Sequence, residues 1–152
     1  MYSDPPIQSD KWSGQWLNDP SKVRILITDD DRMVRRLLHS TLRGLGHTNV
    51  AQAESGVEAL AICNNTWPDL VFLDIDMPGN MDGMQVLQEL RATEKGVFIT
   101  MITAHSTANT VEQAIKLGVD SFLVKPFTAQ RIRTTLENFH KSKRQQLSLS
   151  NR

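Results

Sequence analysis

The sequence predicts an α/β fold: a doubly wound, five-stranded parallel sheet in the order 2-1-3-4-5 with five flanking helices. Three observations lead there. Apolar runs too short for helices alternate with longer stretches of helical periodicity along the chain. Those runs are apolar at successive positions, as strands covered on both faces are. Strict alternation of strand and helix, with short loops between them, calls for a parallel sheet with right-handed crossovers. The clearest run is Asp69-Leu70-Val71-Phe72-Leu73-Asp74. It ends in a carboxylate, which would emerge at the carboxyl edge of the sheet, where open α/β folds place their chemistry.

Residues 1 to about 21 hold Pro5, Pro6, Gly14 and Pro20 and read as an extension outside the core. Trp12, Trp16 and Leu17 share one face of a possible helical turn there, and either fold back on the domain or meet a partner. Val23–Thr28 is the first strand, terminated by Asp29-Asp30-Asp31. Met33, Val34, Leu37, Leu38, Leu42 and Leu45 then recur at helical spacing, with Arg32, Arg35, Arg36 and Arg43 on the other side. Asp31 is expected to cap this helix, and Gly44 and Gly46 to stop it.

Thr48–Ala53 is a weaker strand, and Ser55-Gly56-Val57-Glu58 is a capping-box signature for a helix through about Asn65. After the Asp74 strand, Asp82 is a plausible cap for a helix marked by Met84, Val86, Leu87 and Leu90. Val97–Ile102 is the fourth strand, ending at Thr103; Ser106–Leu117 is a helix stopped by Gly118. Ser121–Val124 is a short last strand, followed by Lys125-Pro126 and a helix carrying Ile132, Leu136 and Phe139. From about Lys141 the tail is polar and basic and is expected to fray. The chain thus divides into an extension (1–21), a folded domain (22–142) and a tail (143–152).

The totals narrow the function classes. A chain of 152 residues supports one domain with a real core. Lys plus Arg (17) balances Asp plus Glu (17), so no global field recruits nucleic acid or an anionic membrane. No apolar run is long enough to span a bilayer, and the N-terminus lacks the basic and apolar regions of a signal peptide. Cys63 is the only cysteine, so neither an intrachain disulfide nor a cysteine zinc site is possible. A cytoplasmic location is expected.

The expected strand ends deliver Asp29 and Asp30, Asp74, Thr103 and Lys125 to one crevice. Two like charges about 4 Å apart repel by roughly 4 kcal/mol at an effective dielectric near 20. A raised pKa, a lysine or a bound cation has to offset this. With oxygen ligands only, the cation should be hard, and Mg²⁺ suits a site with few carboxylates. Such a group fits phosphoryl transfer: Asp74 as nucleophile, Thr103 as hydrogen-bond donor, and Lys125 with the metal neutralising phosphoryl oxygens.

Ile25-Leu26-Ile27-Thr28-Asp29-Asp30, Leu73-Asp74 with Met77-Pro78 and Asp82-Gly83, Thr103-Ala104, and Lys125-Pro126-Phe127 resemble the signature set of response-regulator receiver domains. The resemblance runs over roughly residues 22–140. It implies a flavodoxin-like fold of the chemotaxis-regulator kind, with Asp74 accepting a phosphoryl group from a histidine kinase or a histidine phosphotransfer protein. It implies Mg²⁺ on Asp30, Asp74 and the main-chain carbonyl of Asp76, with Asp29 assisting through water. Thr103 and Lys125 would contact the phosphoryl group, and Phe122 occupies the place of a switch aromatic whose rotation accompanies movement of Thr103. The output surface would be the fourth helix, fifth strand and fifth helix, read by an effector protein, with the chain a monomer or a phosphorylation-dependent homodimer. The Lys125-Pro126 bond is often cis in such proteins.

Two features depart from the commonest pattern. Gly79-Asn80-Met81 makes the loop before Asp82 one residue longer, and Asp76 and His105 stand at variable positions that influence phosphoryl lifetime in the family. With no DNA-binding segment following, a stand-alone receiver or a fragment of a longer protein is expected, and not an enzyme beyond its own phosphorylation and dephosphorylation.

Three other classes compete. Asp74-Ile75-Asp76 matches the acid pair of haloacid-dehalogenase-like phosphatases, but there the pair ends the first strand. A flavin carrier on this fold needs hydroxyl-rich residues where Asp29-Asp30-Asp31 stand. A receiver fold serving only as a docking module would not need the complete set.

Overall fold

The computed structural model describes residues 15–93, 96–104 and 107–150. Five parallel strands form one sheet in the order β2-β1-β3-β4-β5, as expected. The strands are β1 (Ile25–Thr28), β2 (Val50–Ala53), β3 (Leu70–Asp74), β4 (Phe98–Thr103) and β5 (Ser121–Val124). The helices are α1 (Arg32–Gly44), α2 (Gly56–Thr66), α3 (Gly83–Thr93), α4 (Ala108–Lys116) and α5 (Ala129–Ser150). In register, Asp74 pairs with Ile102 and Thr103 with Val124, so these strand ends lie level at one edge.

Alternation along the buried strands divides the core in two. Ile25, Ile27, Leu70, Phe72, Ile102 and Leu123 face α1 and α5, where they meet Leu38, Leu42, Ile132, Leu136 and Phe139. Leu26, Val71, Leu73, Ile99 and Met101 face the other way, onto Ala59, Val86, Leu87, Leu90 and Ala114 of α2, α3 and α4. Every residue of β3 is buried, which is why its sequence shows no polar alternation. Cys63 is buried on α2. Among the described residues no helix is long and apolar enough to cross a membrane.

The helix starts follow local chemistry. Asp31 caps α1 by accepting from the Met33 N–H at 2.9 Å. Ser55 Oγ accepts from the Glu58 N–H at 3.2 Å, while the Glu58 carboxylate reaches back to the N–H of Glu54, one residue beyond the usual box. Asp82 and Gln85 close a reciprocal box at the start of α3, with bonds of 3.0 and 2.8 Å. Thr107 caps α4 by accepting from the Thr110 N–H. Helix α1 runs through Gly44, and the left-handed turn falls on Gly46, at φ 93°.

Two expectations are corrected. On α1, Met33 and Leu37 are 69% and 42% exposed, whereas Arg35 is buried with Leu38 and Leu42. These three are spaced i, i+3 and i+7, so they form the face that meets the sheet. Helix α5 does not fray at Lys141 but continues through Ser150. Lys143 helps to hold these turns: the residue is buried, and its ammonium lies 6.0 Å from the centre of the Phe139 ring and donates to the Gly96 carbonyl. Leu147, one turn further on, also packs on the core. Of the two readings open for the extension, Leu17 takes the first: it is 3% exposed and belongs to the α1–α5 core, so this residue folds back on the domain. Trp12 and His105 lie outside the described residues, as does the side chain of Trp16.

Candidate functional site

Strand β1 delivers Asp29, which is buried and anchored on three sides. Its N–H donates to the Ala53 carbonyl at 3.2 Å, across the β1–β2 pair. Its Oδ1 accepts from the Asp31 N–H at 2.8 Å. Its carbonyl accepts from Arg35 Nη1 at 2.8 Å. Asp30, the next residue, is exposed.

Strand β3 delivers Asp74, only 2% exposed, whose Oδ1 accepts from the Asp76 N–H at 3.2 Å. The chain beyond it is held by Ile75, which donates to the Ile102 carbonyl and accepts from the Gly83 N–H. At Gly83 a Cβ would stand 2.1 Å from the Asp74 carbonyl oxygen. Only glycine lets α3 begin this close to the strand end, so Gly83 sets how Asp74 and the following loop are presented.

Strands β4 and β5 supply the other wall. Thr103, 1% exposed, is the last residue of β4, and its carbonyl accepts from the Lys125 N–H at 2.8 Å. Phe122 pairs with Met101 and Val124 with Thr103, so Thr103 and the half-buried Phe122 share one face of the sheet. The Lys125-Pro126 peptide bond is cis. Lys125 Nζ lies 2.8 Å from Asp29 Oδ2 and 3.6 Å from Asp74 Oδ2.

Carboxylate oxygens of Asp29, Asp30 and Asp74 all lie within 4.8 Å of one another. This crowding is written into the titration of the site. Burial first, and then the charge of Asp29, push the Asp74 carboxyl up from 3.8 to about 7, with Asp30 adding to the rise. Lys125 and the Asp76 N–H oppose it. For Lys125, burial works against the ammonium, but its contacts with Asp29 and Asp74 outweigh burial and its pKa is raised. One ammonium therefore leaves the three acids only partly compensated.

Asp29 Oδ2 is buried and meets the Lys125 ammonium at 2.8 Å, which leaves a second lone pair of this oxygen to spare. Unspent acceptor capacity, converging carboxylates and excess negative charge suit a hard divalent cation with oxygen ligands, such as Mg²⁺.

Residues 25–137 match the sequence profile of the response regulator receiver domain. The chain belongs to this family. The receiver is 38% identical over 117 residues to the chemotaxis protein CheY of Pseudomonas aeruginosa, covering 76% of this chain and 94% of the relative. It is 39% identical over 110 residues to the response regulator MprA of a Mycobacterium species, covering 72% of this chain and 47% of that protein. Among solved structures, the receiver domain of NtrX from Brucella abortus superposes with a TM-score of 0.73 at 34% identity, covering 78% of this chain and 98% of that one. CheY4 of Vibrio cholerae superposes with a TM-score of 0.72 at 28% identity, covering 77% and 98%. Receiver domains of this family are phosphorylation-dependent signalling switches that work with histidine kinases and effectors, with an acidic Mg²⁺ pocket as a typical feature.

All the strand-end residues singled out in the sequence thus arrive at one edge of the receiver: Asp29, Asp30, Asp74, Thr103 and Lys125, with Asp76 tied to Asp74 through its main chain. Sequence reasoning missed Arg35 as a neighbour of the site. The signal was present, because Arg35 shares the helical face of Leu38 and Leu42, but a cation there was assigned to solvent by its charge. It noted Gly83 only as part of a motif; no sequence signal gives the 2.1 Å approach.

Proposed function

We propose that this receiver is switched by phosphorylation of Asp74. The observation that carries the reading is the convergence of the Asp29 and Asp30 carboxylates and Lys125 on the buried Asp74 at the strand edge. An Asp74 oxygen attacks the phosphorus of a phosphohistidine on a histidine kinase or histidine phosphotransfer protein. A P–O bond forms, the P–N bond breaks, and the imidazole leaves with the bond's electron pair. Water later hydrolyses the acyl phosphate.

Asp74 has to be ionised to attack, and its environment opposes this, so the compensating charges are part of the chemistry. Mg²⁺, held by Asp30, Asp74 and the Asp76 main-chain carbonyl with Asp29 through water, would neutralise these carboxylates and the phosphoryl oxygens. The Lys125 ammonium, already seated between Asp29 and Asp74, follows the charge onto the phosphoryl group. Thr103 donates its hydroxyl to a phosphoryl oxygen, and Phe122 on the same sheet face responds. Movement there would reach the surface of α4, β5 and α5, where Ile115 and Val124 expose 60% and 47% of their area to a downstream protein or a second copy. A donor charged from ATP places this action in the cytoplasm.

The test is the intact mass after incubation with a small-molecule phosphodonor, with Mg²⁺ or with EDTA. One phosphoryl group should be gained, and it should be absent in Asp74→Asn and without metal. No gain from either the small donor or a charged histidine kinase, with Mg²⁺ bound, would favour a docking module instead.

A further inference from the structure

We propose that Arg35 is a positioning residue for the divalent-cation site, acting through the main chain of Asp29. The inference rests on the cation-binding reading above, and it concerns a residue that touches none of the reacting groups.

Arg35 is 8% exposed, and a guanidinium stays charged, so it needs partners. It lies in the first turn of α1, where the helix dipole disfavours a cation. Its one carboxylate partner among the described residues is Glu54, at 3.3 Å and 71% exposed, an ion pair largely spent in solvent. The better-formed bond is the buried one, from Nη1 to the Asp29 carbonyl at 2.8 Å. That carbonyl belongs to the peptide plane joining Asp29 to Asp30, and a peptide plane moves as one piece. The Asp29 N–H is fixed on Ala53 and its Oδ1 on the Asp31 N–H, so the Arg35 bond is the third tie on this segment and the one that holds the Asp29 carbonyl. It thereby sets the direction in which Asp30 leaves the strand. Asp30 is exposed and its side chain makes no hydrogen bond among the described residues, so the backbone on either side of it is what brings it within 4.8 Å of the Asp74 oxygens.

The test uses the full chain and Mg²⁺ alone, titrated by calorimetry, for wild type, Arg35→Ala, Arg35→Lys and Glu54→Gln, with thermal unfolding as a check on folding. Arg35→Ala should weaken Mg²⁺ at least about tenfold, as losses of supporting groups around metal ligands do. Arg35→Lys, which keeps a donor for the carbonyl, should recover most of this, and Glu54→Gln should stay within about twofold of wild type. Equal losses in Arg35→Ala and Glu54→Gln would overturn the proposal, because the ion pair and not the carbonyl bond would then matter. Unchanged affinity in a folded Arg35→Ala would overturn it too.

Amide hydrogen exchange without metal separates this from a failure of the cation reading. The Asp29 and Asp31 amides should exchange at least about tenfold faster in Arg35→Ala and not in Glu54→Gln. Wild type that binds no Mg²⁺ but shows this pattern would defeat the cation reading while leaving the anchoring role; unaltered exchange would defeat the anchoring role itself.

Discussion

Asp74→Asn should make the metal-free protein more stable, although it removes the proposed phosphoryl acceptor. The carboxyl of Asp74 is raised from 3.8 to about 7 in the folded state, by burial and by Asp29. A carboxyl raised in this way keeps its proton when folded and loses it when unfolded over the interval between those values. Its stabilising effect is therefore complete below the unfolded pKa and is lost as pH rises through about 7. The shift, at 1.36 kcal/mol per pKa unit, sets a ceiling of about 4 kcal/mol. That figure already nets the attraction of Lys125 against burial and Asp29, so a neutral amide recovers much of it. We predict a gain of about 2–4 kcal/mol at pH 8 in EDTA, shrinking towards zero near pH 4. His47 and His140 are depressed by burial and run the opposite way, losing stability as pH falls, but they are common to both proteins and cancel in the difference. Urea titrations of both proteins from pH 4 to 8 make the measurement. Saturating Mg²⁺ should stabilise wild type more than the variant and narrow the gap. A variant no more stable than wild type at pH 8, or a difference that does not change with pH, would refute the electrostatic argument.

Gly83→Ala should destabilise by about 3 kcal/mol or more, because its Cβ meets backbone 2.1 Å away that cannot yield without moving the Asp74 loop. Thermal unfolding measures the loss, and Mg²⁺ affinity should fall with it. Leu17→Ala should cost about 2–3 kcal/mol, since Leu17 is buried in the α1–α5 core; a change under about 0.5 kcal/mol in urea would return that residue to the surface. Asp82→Ala should cost about 1 kcal/mol by opening the reciprocal box with Gln85, read from the shift of the urea midpoint.

What was legible in the sequence follows from which physical signals are local. The sheet order and the strand-end residues were legible because a strand covered on both faces shows an unbroken apolar run, and the residue after the run is placed by the fold's geometry. Element boundaries with a side-chain cap, such as Asp31 and Ser55, were legible for the same reason. The misreadings share a different cause: a charged side chain was assigned to solvent by its charge. Arg35 and Lys143 both lie on faces that helical periodicity had already turned inward, beside Leu38 and Leu42 and beside Phe139 and Leu147. Each is accommodated by a main-chain carbonyl, of Asp29 or of Gly96, from an element distant in sequence or folded back across a turn. A carbonyl acceptor leaves no trace in residue type, whereas a carboxylate partner does. Periodicity should therefore outweigh charge for a long cation on an apolar face, since its stem can be buried while its head finds a backbone oxygen. In this chain that rule recovers the extra turns of α5, and it recovers Arg35 as a support behind the acidic site.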